Sequence, residues 1–224
     1  TVATAGVAAV KSGIDYQKQL ANVSTLLTGT EAEISARTAE IGKDILKVSN
    51  DTGVETANLT DGMYQVISAF GDSKDAMSIL ETSAKAAAAG NATTTDSVNL
   101  LSAVMKGYND VSAESAQKAA DLSFATVRLG QTSFSELASS IGKVVPLSSA
   151  LNVQQEELYG VFATLTGVTG STAEVATQYK AVLSGLMTPH GRVPEEDRVL
   201  YGRCSYQEPR IPRHPRSTEG HCPR

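Results

Sequence analysis

The chain has 224 residues, a formal net charge of −5, 5% aromatic residues and no Trp. That length allows one or two domains, and no basic stripe is present that would hold nucleic acid electrostatically. A core must come from Ala, Leu, Val, Ile and Met, whose small size calls for many short helices packed closely.

Helical periodicity recurs along the chain. The opening TVATAGVAAV is apolar but too short to span a bilayer. It also lacks the basic region of a signal peptide. Because the chain starts at Thr1 rather than Met, this stretch reads as the stump of a longer, trimmed segment. Tyr16, Leu20, Val23 and Leu27 then form one apolar stripe. Ile34, Ile41, Ile45 and Val48 form a second, and Leu59, Met63, Val66, Ile67 and Phe70 a third. Met77, Leu80, Ala84 and Ala87 follow, then Val98, Leu101, Met105 and Tyr108. Ser115 to Leu129 is helical by composition with a less tidy stripe. Leu137, Ile141, Val144 and Val145 come next, then Leu158, Val161, Phe162 and Leu165. Val175, Tyr179, Val182, Leu183 and Leu186 close the series. No segment alternates long enough to predict a strand. The expectation is an all-α bundle of about eight or nine short capped helices in helical-hairpin units.

The breaks agree with the stripes. Capping boxes are predicted at Thr30/Glu33, Thr52/Glu55, Ser133/Glu136 and Ser171/Glu174, with a weaker one at Asn152/Gln155. Gly29, Gly53, Gly71, Gly90, Gly130 and Gly170 fall in the gaps, where a positive φ costs glycine little. Pro146 should end or kink the helix begun near Ser135. Gly90, Gly130 and Gly170 are spaced evenly, and Thr/Ser-rich caps follow each. This suits a repeat of one helix pair per unit, about 40 residues long.

Composition changes sharply at Pro189. Six of the seven prolines, seven of the nine arginines, both cysteines and all three histidines lie from there to Arg224, and no lysine does. The chain therefore divides into a helical core domain, residues 1–189, and an Arg/Pro-rich tail, residues 190–224, without a fold of its own. The core carries −7 and the tail +2. The tail reads as out-of-frame or junction sequence.

Candidate chemistry is sparse. Cys204, His214, His221 and Cys222 have metal-ligand chemistry, but the spacing matches no finger or ribbon and adjacent His221 and Cys222 strain a tetrahedral site. Glu156 and Glu157 are neighbouring carboxylates that point about 100° apart on a helix. They suit the positive end of a helix dipole rather than a shared site. With no His before His190, a His-based triad is excluded from the core. No catalytic, cofactor-binding or metal residues are assigned, no cofactor is expected, and the chain is not expected to be an enzyme. Asn22, Asn58 and Asn91 begin glycosylation-like triplets, which chance explains in a Ser/Thr-rich chain. The apolar stripes also admit a membrane-active, pore-forming reading, but the opposite faces carry Ser, Thr, Asn and acids rather than Lys/Arg clusters. Helix-on-helix packing is favoured.

Several stretches together carry a family resemblance. These are DYQKQLANVSTLLTGT, EIGKDILKVSNDTGVETANLTDGMYQVISAFGDSKDAM, AAAAGNATTTDSVNLLSAVMKGY and QTSFSELASSIGKVVPLSSALNVQQEELYGVFATLTGVTGSTAEVATQYKAVLSGLMTP. From Asp15 to Pro189 the chain resembles the core domain in the N-terminal part of phage tail tape measure proteins, and the resemblance stops at Pro189. It implies a structural protein of a phage or prophage tail. Such proteins are long, helical and housed in the tail tube. Their length sets tail length, they leave before the DNA, and tube subunits assemble around them with tail assembly chaperones. The implied partners are therefore tail tube proteins, tail assembly chaperones and weakly associated copies of the chain through Ala84, Ala87 and Ala88. No direct nucleic-acid contact is implied, and membrane contact only through missing segments. The implied places are the virion tail and, during assembly, the host bacterial cytoplasm. A fully helical core would reach only about 280 Å, too short to act as a ruler alone.

Removing residues 190–224 is predicted to change stability by no more than about 0.5 kcal/mol. Thermal melting checks this: a shortened chain that melts several degrees lower would mean that the tail packs on the core.

Overall fold

The computed structural model describes residues 2–187, with side chains from residue 13 onward. Ten α-helices run α1 (Val2–Ser24), α2 (Glu31–Thr52), α3 (Thr56–Phe70), α4 (Ala76–Ala89), α5 (Thr94–Gly107), α6 (Ala113–Leu129), α7 (Phe134–Ser140), α8 (Val145–Ala150), α9 (Gln155–Thr169) and α10 (Thr172–Met187). No strand occurs among the described residues. The proposed tail lies outside them.

The helices exceed the expected count because Pro146 divides one of them. A proline has no N–H and its ring collides with the carbonyl four residues back, here Gly142. The chain responds with a 3₁₀ turn, Ile141–Lys143, and α8 starts afresh with Pro146 in its first turn.

The helices alternate between two layers. α1, α3, α5, α7 with α8, and α10 form one layer; α2, α4, α6 and α9 form the other. Within a layer, each helix packs on the next. The side-chain contacts record the period. Arg37 pairs with Asp72, 35 residues on. Ser123 donates to the Tyr159 hydroxyl, 36 residues on. Thr132 and Thr172 share a 2.6 Å hydrogen bond across 40 residues. The fold is a short helical-hairpin solenoid in which each unit touches its neighbours.

The caps explain where the units turn. The boxes at Thr30/Glu33 and Ser133/Glu136 are complete, and Ser171 accepts the Glu174 amide at 3.4 Å. Thr93 and Ser112 cap α5 and α6 in the same way. Two expected boxes do not form. Thr52 ends α2 instead, donating to the Val48 carbonyl, and Glu55 precedes α3 without a side-chain cap bond. Asn152 takes a left-handed φ of 57° in the preceding turn. The start of α9 moves to Gln154, whose amide donates to Glu157 at 3.2 Å.

The repeat glycines serve two purposes. Gly170 has the positive φ, 70°, expected of a helix stop. Gly90 and Gly130 do not: their φ values are −90° and −102°. They are small because neighbours are close. A Cβ on Gly90 would lie 2.7 Å from Phe134, and one on Gly130 would lie 3.0 Å from the Ala163 carbonyl oxygen.

The core follows the stripes with one exception at the end. Val23, Ile41, Ile45, Leu59, Met63, Leu80, Val98, Leu101, Met105, Leu137, Leu158, Phe162 and Val175 are buried. On α10, however, Val182 is 56% and Leu186 68% exposed. α10 is the last described helix of its layer; it packs on α7, α8 and α9, and its outward face meets no other described helix.

Ala84 and Ala87 belong to this core, at 0% and 2% exposure. They are not available as a self-association face; of the three alanines expected there, Ala88 alone is exposed. Ala87→Glu is therefore predicted to destabilise the fold by more than about 3 kcal/mol, because a carboxylate would be buried unpaired. Ala88→Glu should change stability by less than about 0.5 kcal/mol. Chemical denaturation of the two variants checks the contrast.

Candidate functional site

The two carboxylates singled out in the sequence stand in the first turn of α9 and diverge. Glu156 reaches across to Lys118 on α6 at 2.7 Å. Glu157 turns back to accept the Gln154 amide. The Lys118 hydrogen bond holds the Glu156 carboxyl below its ordinary value, and the backbone amide at the helix start adds to this. The pair is a strut between two stacked helices, not an acid–base couple.

Below this strut, α6 presents a face of small residues, Ser115, Ala116, Ala119, Ala120 and Ser123, all buried. That face explains why its stripe is hard to read: the residues fit a close approach rather than supplying bulk. Tyr159 fills the space opposite. Its hydroxyl accepts from Ser123 at 3.1 Å, and its carbonyl accepts from Thr126 at 3.2 Å. Burial pushes the Tyr159 phenol well above its ordinary value. Tyr159 and the buried Phe134, which stacks on Phe124 with centroids 5.1 Å apart, were not part of any predicted stripe.

A second polar group gathers where α5 ends. Burial pushes the Tyr108 phenol up to about 12, with Tyr179, Glu156 and Glu157 adding to the effect. The Tyr108 hydroxyl and the Gln155 side-chain oxygen are buried without a hydrogen-bond partner. The Tyr108 phenol is neutral at physiological pH, as is the Gln155 carboxamide. None is a nucleophile held by a base, the arrangement that covalent catalysis requires.

Two depressions mark the surface of the described residues. One is a groove of about 430 Å³ between α1, α3 and α5, lined among others by Gln19, Asn22, Asp61, Tyr64 and Gln65. The other is a depression of about 410 Å³ on α6 beside Phe124 and Arg128. Among the described residues, no three His, Cys, Asp or Glu side chains gather where they could hold a metal ion. Cys204, His214, His221 and Cys222 lie outside those residues. No described helix is long and apolar enough to cross a membrane. Asn22, Asn58 and Asn91 are all exposed.

Residues 42–197, over half of the chain, match the family model described as phage-related minor tail protein. The chain belongs to this family. Comparison with curated proteins and with solved structures gives no match. The minor tail match begins within α2, later than Asp15, and runs past Pro189, where the sequence resemblance stops. Membership makes the chain a structural component of phage tails, and the helical stack is the scaffold that this minor tail protein presents.

The Lys118–Glu156 strut has a titration signature. Because the folded Glu156 pKa is lowered, its contribution to stability is present above the ordinary carboxylate value and is lost as pH falls through the lowered one. Both side chains are about half exposed, so screening keeps the contribution to a few tenths of a kcal/mol, about 0.2–0.5. Lys118→Ala should move the Glu156 titration midpoint upward, as read by carbon-detected NMR of its carboxyl. An unmoved midpoint would mean that the pair is not formed in solution.

Proposed function

We propose that this minor tail protein is the N-terminal core of a tail tape measure protein, which sets tail length and assists tail assembly and DNA delivery. The coincidence of the family match with an all-helical stack supports this reading. The thickness of the stack supports one part for the core within such a protein. Packed helices lie about 8–10 Å apart, so the larger layer of the stack is on the order of 50 Å deep. The same residues drawn into one helix would span about 280 Å. A folded core of this kind contributes little length. Measuring belongs to extended helix elsewhere in such a protein, and the core's part is to engage other tail components.

The partners we assign are tail tube subunits and tail assembly chaperones, met in the host cytoplasm before the core is enclosed in the tail. Weak self-association belongs to the same reading, but through surfaces other than Ala84 and Ala87. The acidic balance of residues 1–189 gives no reason for direct nucleic-acid contact, and membrane contact is left to segments beyond this core.

The test is genetic and structural. In the phage that encodes the chain, an in-frame deletion of residues 93–132, one repeat unit, should abolish tails of defined length in electron micrographs of lysates. Normal tails in normal number would overturn the proposal. Tails shortened in proportion to the deleted residues would also contradict it, because they would make the core itself the ruler.

A further inference from the structure

Six of the eight residues lining the groove between α1, α3 and α5 have side chains that the fold itself does not use. Gln19 and Asn22 lie one turn apart on α1. Asp61, Tyr64 and Gln65 share a face of α3, and Thr95 stands in the first turn of α5. The carboxamides of Gln19, Asn22 and Gln65 make no hydrogen bond within the described residues, nor does the Asp61 carboxylate or the Tyr64 hydroxyl. Two further lining residues are engaged by backbone carbonyls: Thr25 donates to the Asn22 carbonyl and Thr60 to the Thr56 carbonyl, while Tyr16 on α1 donates to the Gly42 carbonyl. The groove holds its shape because its walls are tightly joined. A Cβ on Gly62 would lie 2.6 Å from Thr94 Cγ2 and 2.9 Å from Leu80 Cδ1, so α3 sits hard against its neighbours.

We propose that this groove binds an extended peptide segment carrying a lysine or arginine. The proposal goes beyond the tail assignment and does not depend on it. A carboxamide offers one carbonyl and one NH₂, the complement of a backbone N–H and C=O. Three of them along one groove read main chain rather than side chain. Spacing agrees. Asp61 and Gln65 are four residues apart, about 6 Å along the helix, and alternate residues of an extended strand repeat every ~6.6–6.8 Å. A strand lying along α3 meets both without distortion. Asp61 is the one charged group among the lining residues, and it selects a cationic side chain. The absence of any lining cation disfavours a phosphate-bearing ligand, and Tyr64 as the sole ring offers a poor stacking platform for a sugar chain. The volume, about 430 Å³, suits three or four residues of peptide rather than a folded domain.

NMR of the full chain tests this. The probes are a blocked nonapeptide of alternating Gly and Ser with a central Lys, the same peptide with a central Glu, and a trimer of N-acetylglucosamine. At about 5 mM, above the millimolar dissociation constants expected of so few contacts, the Lys peptide should shift the side-chain NH₂ signals of Gln19, Asn22 and Gln65. The Glu peptide should bind at least about fivefold more weakly, and Asp61→Asn should remove that difference. Asp61 is exposed, so the variant keeps the fold, which the unchanged backbone spectrum verifies. Three results would each overturn the proposal: no shift of the three carboxamides with the Lys peptide, shifts with the sugar trimer alone, or a Lys preference that survives in Asp61→Asn.

Discussion

Close approach between successive helices of a layer is the constraint on which the rest of the structure depends. With few aromatic side chains, the core gains stability through many short contacts rather than a few large ones. The closest of these contacts place a small residue on at least one side. α6 and α9 show the arrangement in full. Gly130 lets the end of α6 meet Ala163 and Thr166. Ser123 and Thr126 meet Tyr159, and Lys118 meets Glu156 at the other end. The two helices therefore run in register along their length. Once this spacing is set, the next unit follows about 40 residues later, and the caps fall where they must to turn the chain back.

Several elements were legible because local physics decides them. Hydroxyl caps at Thr30 and Ser133, and glycine stops at Gly53 and Gly170, depend only on residues within one turn. Pro146 acts through its own ring. Other elements depended on partners distant in sequence and were not legible. Gly90 and Gly130 read as conformational glycines, yet their conformations are open to any residue; what demands glycine is the crossing helix. The α6 stripe is hidden because Ser and Ala occupy its inner face. Tyr159 shows no periodic signal of its own, because its burial is set by the gap that those small residues leave. Val182 and Leu186 read as core and are exposed, because their helix ends the described stack.

The groove between α1, α3 and α5 belongs to the second kind. Asn22 suggested only a glycosylation-like triplet, and Asp61 and Gln65 were unremarkable surface positions. They become a candidate site only when three helices of one layer, spread from Gln19 to Thr95, lie side by side. A solenoid makes such grooves as a matter of course, since its successive helices expose equivalent faces along one side. This links the architecture to the tail role proposed above: a folded core with little length of its own contributes surface, and surface is what the proposed docking on tail components would use.

The helices form an open stack, with α2 and α9 at opposite ends of one layer. Spin labels at Lys47 on α2 and Thr164 on α9, both exposed, test it through their dipolar coupling. The stack places three helix spacings between them, so the distance distribution should centre at about 25–30 Å. A distribution centred below about 15 Å would place α2 beside α9, close the layer on itself and rule out the open stack.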